Sequence, residues 1–247
     1  MKAPNEAQLR LLDLQEHDTA LDRLTHRRRT LPEHEEVERL QGRLAELRTA
    51  IVTAETEASD LSREQTKAES DVDQVRTRAE RDRARLDSGQ LSSPKELETL
   101  QSEIASLERR QSELEDTVLE IMERREGAER RRDELTSDSS DIERQLGEVQ
   151  QRRDTALHEI DEEMASVGEQ RTAARKEIPE ELLGLYDRLR EQYTGVGAAE
   201  LWRGRCQGCH LALNTVDLNH MRDAPEDEVL RCEECRRILV RTKNSGL

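Results

Sequence analysis

The chain has 247 residues, 39% of them charged, and three aromatic side chains, Tyr186, Tyr193 and Trp202, with no Phe. Aromatic residues bury the largest areas in most globular cores, so this composition excludes an ordinary enzyme domain and calls for aliphatic seams, a metal or both. The 40 basic and 56 acidic groups leave a net charge of −16, all of it within residues 1–199, where 32 basic groups meet 48 acidic ones; that part is not built to wrap duplex DNA, which needs clustered Lys and Arg.

Met1 to Gln8 is polar, and the run from Leu9 to Leu14 is interrupted by Arg10 and Asp13, unlike a targeting signal. No segment approaches the roughly 18 uncharged apolar residues of a membrane span, so a cytoplasmic protein with reduced thiols is expected. The segment from Ala3 to Thr30 carries an apolar stripe of Leu14, Leu21, Leu24 and Leu31.

From Val37, alternate steps of three and four residues meet Val37, Leu40, Leu44, Leu47, Ile51, Ala54, Ala58, Leu61, Gln65, Ala68, Val72, Val75, Ala79, Asp82 and Leu86. Only Gln65 and Asp82 break the apolar series, which predicts a coiled-coil helix over about 33–88. Gly89 stops it, and Ser93-Pro94-Lys95-Glu96 supplies an S-x-x-E capping box with Pro at the first helical position. A second seam follows through Leu100, Leu107, Leu114, Ile121, Ala128, Leu135, Ile142, Val149 and Ala156. Its companion column is patchier, with Gln111, Arg125, Arg132, Ser139 and Arg153 among apolar residues, so the predicted helix from Pro94 to about Lys176 has a wide, asymmetric seam. Two long helices joined by a short capped turn predict an antiparallel hairpin rather than one continuous rod, because Gly89 and Pro94 would break such a rod. A turn centred near residue 91 puts Leu14 near Gly168 and Val37 near Gln145.

Pro179 opens a short helix over 180–193 with Leu182, Leu185, Tyr186 and Leu189 on one face. Thr194 to Gly197 ends it, and strand candidates follow at 198–202, 228–231 and 238–241. Between them lie Cys206-Gln-Gly-Cys209 and Cys232-Glu-Glu-Cys235, separated by 22 residues. Four cysteines in this spacing supply four thiolates for tetrahedral zinc, and four protein ligands leave no open position for a reacting water. One structural Zn²⁺ held by Cys206, Cys209, Cys232 and Cys235 is expected, stabilising a module too small for a core of its own. The run Cys206 to His210 also matches the C-x-x-C-H haem attachment pattern, but that reading needs export and leaves Cys232 and Cys235 unexplained.

The whole reads as a mainly α protein: a long antiparallel coiled-coil hairpin over 1–178 with its turn near 87–94, a connecting helix and linker over 179–197, and a small C-terminal zinc ribbon over 198–247. No Walker A loop, G-x-S-x-G elbow or H-E-x-x-H pair is present, and a non-enzyme is expected. Two basic clusters are candidate contact surfaces: Arg76, Arg78, Arg81, Arg83 and Arg85 near the hairpin tip, and Arg203, Arg205, Arg231, Arg236, Arg237, Arg241 and Lys243 on the ribbon. Runs of the first kind are usually a solvated face paired across the coil. Trp202 reads as the ribbon's one sizeable core residue.

The capped tip from Ser93 to Ile104, the long return helix, Leu183-Gly-Leu-Tyr186 and the two cysteine knuckles together resemble the bacterial family of coiled-coil hairpin proteins with a C-terminal C4-type zinc ribbon. The resemblance spans nearly the whole chain, and its most specific part is the knuckles. It implies an adaptor: studied members bind an alternative sigma factor of RNA polymerase, some bind messenger RNA, and some contact flagellar or secretion components. The expectation is therefore a non-enzymatic zinc-binding adaptor or scaffold that binds protein partners in transcription-related regulation. The alternative is a protein that binds RNA or DNA through its ribbon, and a third reading is a purely structural spacer.

Overall fold

The computed structural model of the chain describes residues 1–89 and 93–247. The elements are α1 (Asn5–Arg29), α2 (Pro32–Asp87), α3 (Pro94–Lys176), α4 (Glu180–Gln192), β1 (Ala198–Trp202), β2 (Arg205–Cys206), α5 (Thr215–Asp223), β3 (Leu230–Arg231) and β4 (Ile238–Val240). The fold is a long helical hairpin of coiled-coil type followed by a small strand module. Residues 90–92 of the expected turn lie outside the described residues. Beside it, the backbone N–H of Glu96 donates to Ser93 Oγ at 3.3 Å, forming one half of the capping box.

By compactness the described residues gather into two units, 1–34 with 151–247, and 35–150. This division does not follow boundaries at 178 and 197. The physical reason lies in the first unit, where Ala3, Ala7, Leu11 and Leu14 of the N-terminal segment share one core with Leu182, Tyr186, Ala198, Ile238 and Val240.

Within 35–150, every position of the α2 seam is buried or half-buried, Gln65 and Asp82 included. Ala58 and Leu61 pack with Ile121 and Ala128, and Val37 and Leu40 pack with Val149. The two polar interruptions of the opposed seams meet: Arg125 Nη1 donates to Gln65 Oε1 at 3.0 Å. A lone polar residue in a seam lowers stability but can select register.

That register differs from the expected one. A turn centred at 91 would put Arg48 opposite residue 134 and Asp18 opposite residue 164; instead Arg48 Nη2 lies 3.1 Å from Glu143 and Asp18 bonds Arg171. Leu14 correspondingly clusters with Ile178 and Ala174 rather than lying at Gly168. The offset is not uniform: Arg78 pairs with Glu103 as a turn at 91 requires, and Leu146, next to Gln145, packs against the Val37 cluster. A seam that repeats every seven residues does not fix the stagger by itself.

Within the other unit, Leu24 and Leu31 pack on Ile160, and α1 runs along the end of α3 through Arg28–Asp161 at 3.0 Å. The sheet has the order β2-β1-β4-β3, with β1 parallel to β4 and the outer pairs antiparallel. The N-terminus extends it: Lys2 bridges Glu228, Ala3 N–H donates to Asp227 O at 2.7 Å, and Val229 N–H donates to Met1 O at 3.1 Å. Gly197 passes so close to α4 that a Cβ there would lie 2.6 Å from Tyr186 O, which explains the glycine.

Candidate metal centre

The two knuckles are built alike. In the first, Cys206 N–H donates to Leu211 O at 3.1 Å and His210 N–H returns to Cys206 O at 2.7 Å; in the second, Cys232 N–H donates to Arg237 O at 3.0 Å and Arg236 N–H returns to Cys232 O at 2.9 Å. Each turn needs a left-handed residue just after its second cysteine, and His210 (φ 59°) and Arg236 (φ 60°) take that role. Gly208 lets the first knuckle pack tightly, since a Cβ there would stand 3.0 Å from both Ala199 Cβ and Arg237 Cδ. Its N–H points at Cys206 Sγ, 3.4 Å away.

β2, β3 and the turns that follow them converge so that the sulfurs of Cys206, Cys209, Cys232 and Cys235 all lie within 4.8 Å of one another. Cys206 Sγ is 3.8 Å from Cys235 Sγ, and Cys209 Sγ is 3.9 Å from Cys232 Sγ. Zinc–sulfur bonds of about 2.3 Å in a tetrahedron put sulfurs roughly 3.8 Å apart, so the residues fit the ion. The ribbon holds one structural zinc through these four cysteines.

Burial pushes the Cys206 thiol up, against the lowering effect of the Cys209 and Gly208 N–H groups, and it raises Cys232 in the same way. Cys235, which burial alone would also raise, is brought down to about 7 by the backbone N–H and the guanidinium of Arg237. Thiolates in so buried a place require a cation, and zinc supplies it. His210 and His220 are exposed and stand outside the sulfur cluster. No helix among the described residues is long and apolar enough to cross a membrane.

The structure separates the basic candidates by role. Arg237 is internal: its Nε, Nη1 and Nη2 donate to Val196 O, Gly208 O and Tyr193 O at 3.0, 3.3 and 3.2 Å, and its guanidinium sits 5.2 Å from the Tyr193 ring centroid. Arg241 is also spent internally, donating from Nη1 to Met221 O at 3.0 Å and Ala224 O at 2.7 Å, which caps the carbonyl end of α5. Both side chains are spent on carbonyls of the ribbon and the linker before it. Arg236 pairs with Glu233 at 3.1 Å, while Arg203, Arg205 and Lys243 are exposed. At the tip, Arg78 and Arg83 pair across the coil with Glu103 and Glu108, and Arg76 pairs with Asp73; Arg81 and Arg85 carry no ion pair among the described residues.

Trp202 is not the ribbon core: it is 37% exposed, with Arg203 5.5 Å from its ring centroid. The core is Ala199, Leu201, Leu213, Met221, Leu230 and Leu239 around the cysteines. Period-two alternation explains the exchange, since Leu201 and Trp202 are neighbours on one strand and only one can face inward. Sequence reasoning also missed α5, although Asn214 with Asp217 was a legible cap: Asn214 Oδ1 accepts from the Asp217 N–H at 2.8 Å.

Residues 14–194 match the family described as the CT398-like coiled coil hairpin domain, and residues 205–239 match the C4-type zinc ribbon domain. An uncharacterized protein of Mycobacterium tuberculosis is 36% identical over 241 residues, 98% of each chain. A solved structure from Mycobacterium smegmatis is similar at 34% identity and a TM-score of 0.84, over 98% of this chain and 100% of that one. The structure of CT398 from Chlamydia trachomatis, at 22% identity and a TM-score of 0.70 over 96% and 98% of the two chains, shares the fold.

Proposed function

The chain belongs to the CT398-like coiled-coil hairpin family with a C4-type zinc ribbon, and from that premise we propose that it is a non-enzymatic adaptor, a zinc-stabilised scaffold whose hairpin and ribbon bind protein partners. The observation that carries the reading is the closed metal site. Four cysteines occupy all four positions of a tetrahedral zinc, so the ion holds a shape and activates no water. We further propose, on the resemblance noted in the sequence, that the partner acts in transcription-related regulation in the cytoplasm, with RNA polymerase or a sigma factor as the first candidates. The test is crosslinking and affinity purification of the chain from its native cell. A specific protein partner recovered in stoichiometric amount is expected; recovery of none contradicts the proposal.

A second reading, binding of RNA or DNA through the ribbon, draws support from the exposed Trp202 beside Arg203, since aromatic faces flanked by cations stack on bases. It requires an affinity that falls steeply with salt. Absence of binding at low salt removes it.

A further inference from the structure

We infer that the β1–β2 hairpin of the ribbon is a docking face for an acidic segment of a partner protein, with Trp202 as the apolar anchor and Arg203 and Arg205 as the carboxylate contacts. The inference rests on the adaptor reading and adds where and what the ribbon binds. Three observations carry it.

The first is placement. Trp202 pairs with Arg205 across the hairpin, and Arg205 in turn bridges Ala212, so these three lie in one row on one face of the sheet. All three are exposed. Trp and Arg are the side chains that most often dominate protein interfaces.

The second is backbone strain. The two-residue connection puts Arg203 at φ 45° and Gly204 at φ 71°. Turns of this kind favour Asn-Gly, and a long side chain in the left-handed region is held at a cost. The apex is nevertheless fixed: Arg203 N–H donates to Asn244 O, Gly204 N–H to Ser245 O and Leu213 N–H to Gly204 O, each at 2.9 Å. A rigid, strained apex presenting a cation over an indole is preorganised for a ligand.

The third is charge. Arg203 and Arg205 have no ion pair among the described residues, whereas Arg236, Arg237 and Arg241 are all engaged. The only acid between 198 and 214 is Glu200, which accepts from Thr242 Oγ1 at 2.7 Å. Two guanidiniums without a carboxylate partner, one over an indole, suit a carboxylate flanking a Leu, Ile or Phe. They fall short of the roughly 6–10 phosphate contacts of a tight nucleic-acid complex, on a chain whose net charge is −16.

The test pans random displayed peptides against the full-length, zinc-loaded chain and measures the selected peptides in solution. Selected peptides are expected to be rich in Asp and Glu around an aliphatic or aromatic residue. Their affinity is expected to fall at least tenfold with Trp202→Ala, Arg203→Gly and Arg205→Glu, and to hold with Arg188→Gln on α4. Arg203→Gly is the decisive variant, because it relieves the turn and so keeps the fold; zinc content verifies each protein. Peptides that bind all variants equally, the absence of acidic selection, or oligouridylate RNA that binds through Trp202 with a steep salt dependence would each overturn the inference. If the cellular partner is still recovered with these variants, this face is excluded and the adaptor reading stands.

Discussion

Tyr186 donates its hydroxyl to Asp18 Oδ2 at 2.6 Å, linking α4 to α1 across 168 positions of sequence. Asp18 is 1% exposed, and it also accepts from Arg171 Nε at 2.5 Å and lies 3.4 Å from Arg190 Nε. Gln15 completes the junction: its Nε2 donates to Gly195 O at 2.9 Å and its Oε1 accepts from Gly197 N–H at 2.8 Å. A buried carboxylate persists only where such partners compensate its lost hydration, and these ones lock α1, α3, α4 and the start of the ribbon to one another.

Tyr186→Phe keeps the ring and removes the donor, so it should destabilise this unit by about 1–3 kcal/mol. Asp18→Ala leaves the Arg171 guanidinium without its carboxylate and the Tyr186 hydroxyl without its acceptor, while Arg190 stays with Asp22, and should cost more, about 3–5 kcal/mol. Thermal unfolding followed by circular dichroism ranks the two, and equal effects would contradict the arrangement.

Burial, then the hydrogen bond to Asp18 and its charge, raise the Tyr186 phenol well above its ordinary value. A group whose folded pKa is raised contributes stability that is full below the unfolded value, near 10, and that is lost as pH rises from there toward the folded value. Melting temperature should therefore drop on moving above about pH 10, and Tyr186→Phe should flatten that drop. An unchanged alkaline limb in the variant would locate the loss elsewhere.

Arg241→Met keeps much of the side-chain volume but leaves the Met221 and Ala224 carbonyls at the end of α5 without their donor. The ribbon should lose about 1–3 kcal/mol, seen as faster amide exchange over 215–240 with no change in α2. Slow exchange retained in α5 would contradict the capping role.

The hairpin was legible because Gly89, Pro94 and Pro179 punctuate it and the seams are periodic: α3 begins and ends at the residues expected, Pro94 and Lys176. The zinc ligands were legible because C-x-x-C spacing is local. What escaped depends on partners distant in sequence. Asp18, Gln8 and Gln15 look solvated in a charged helix, yet each is buried against residues 153 to 218 positions away. The pairing of Met1–Ala3 with residues 227–229 leaves no mark on periodicity. The offset of pairs such as Asp18–Arg171 and Arg48–Glu143 escaped for the opposite reason, since a regular seam looks the same in several registers.

Cys232→Ser should abolish stoichiometric zinc binding and release β1 to β4 and α5 to rapid exchange, because the knuckles organise a core of few apolar side chains. The helical signal of α2 and α3 should remain. Loss of the hairpin along with the ribbon would show that the metal supports more than its own module.

The central claim is that the zinc is closed by protein and serves structure. X-ray absorption at the zinc edge of the purified full-length chain tests it most directly. Four sulfur neighbours at about 2.3 Å, with no nitrogen or oxygen in the shell, are the predicted result. Three sulfurs with a fourth, exchangeable oxygen ligand would contradict it, because that position would be open to solvent.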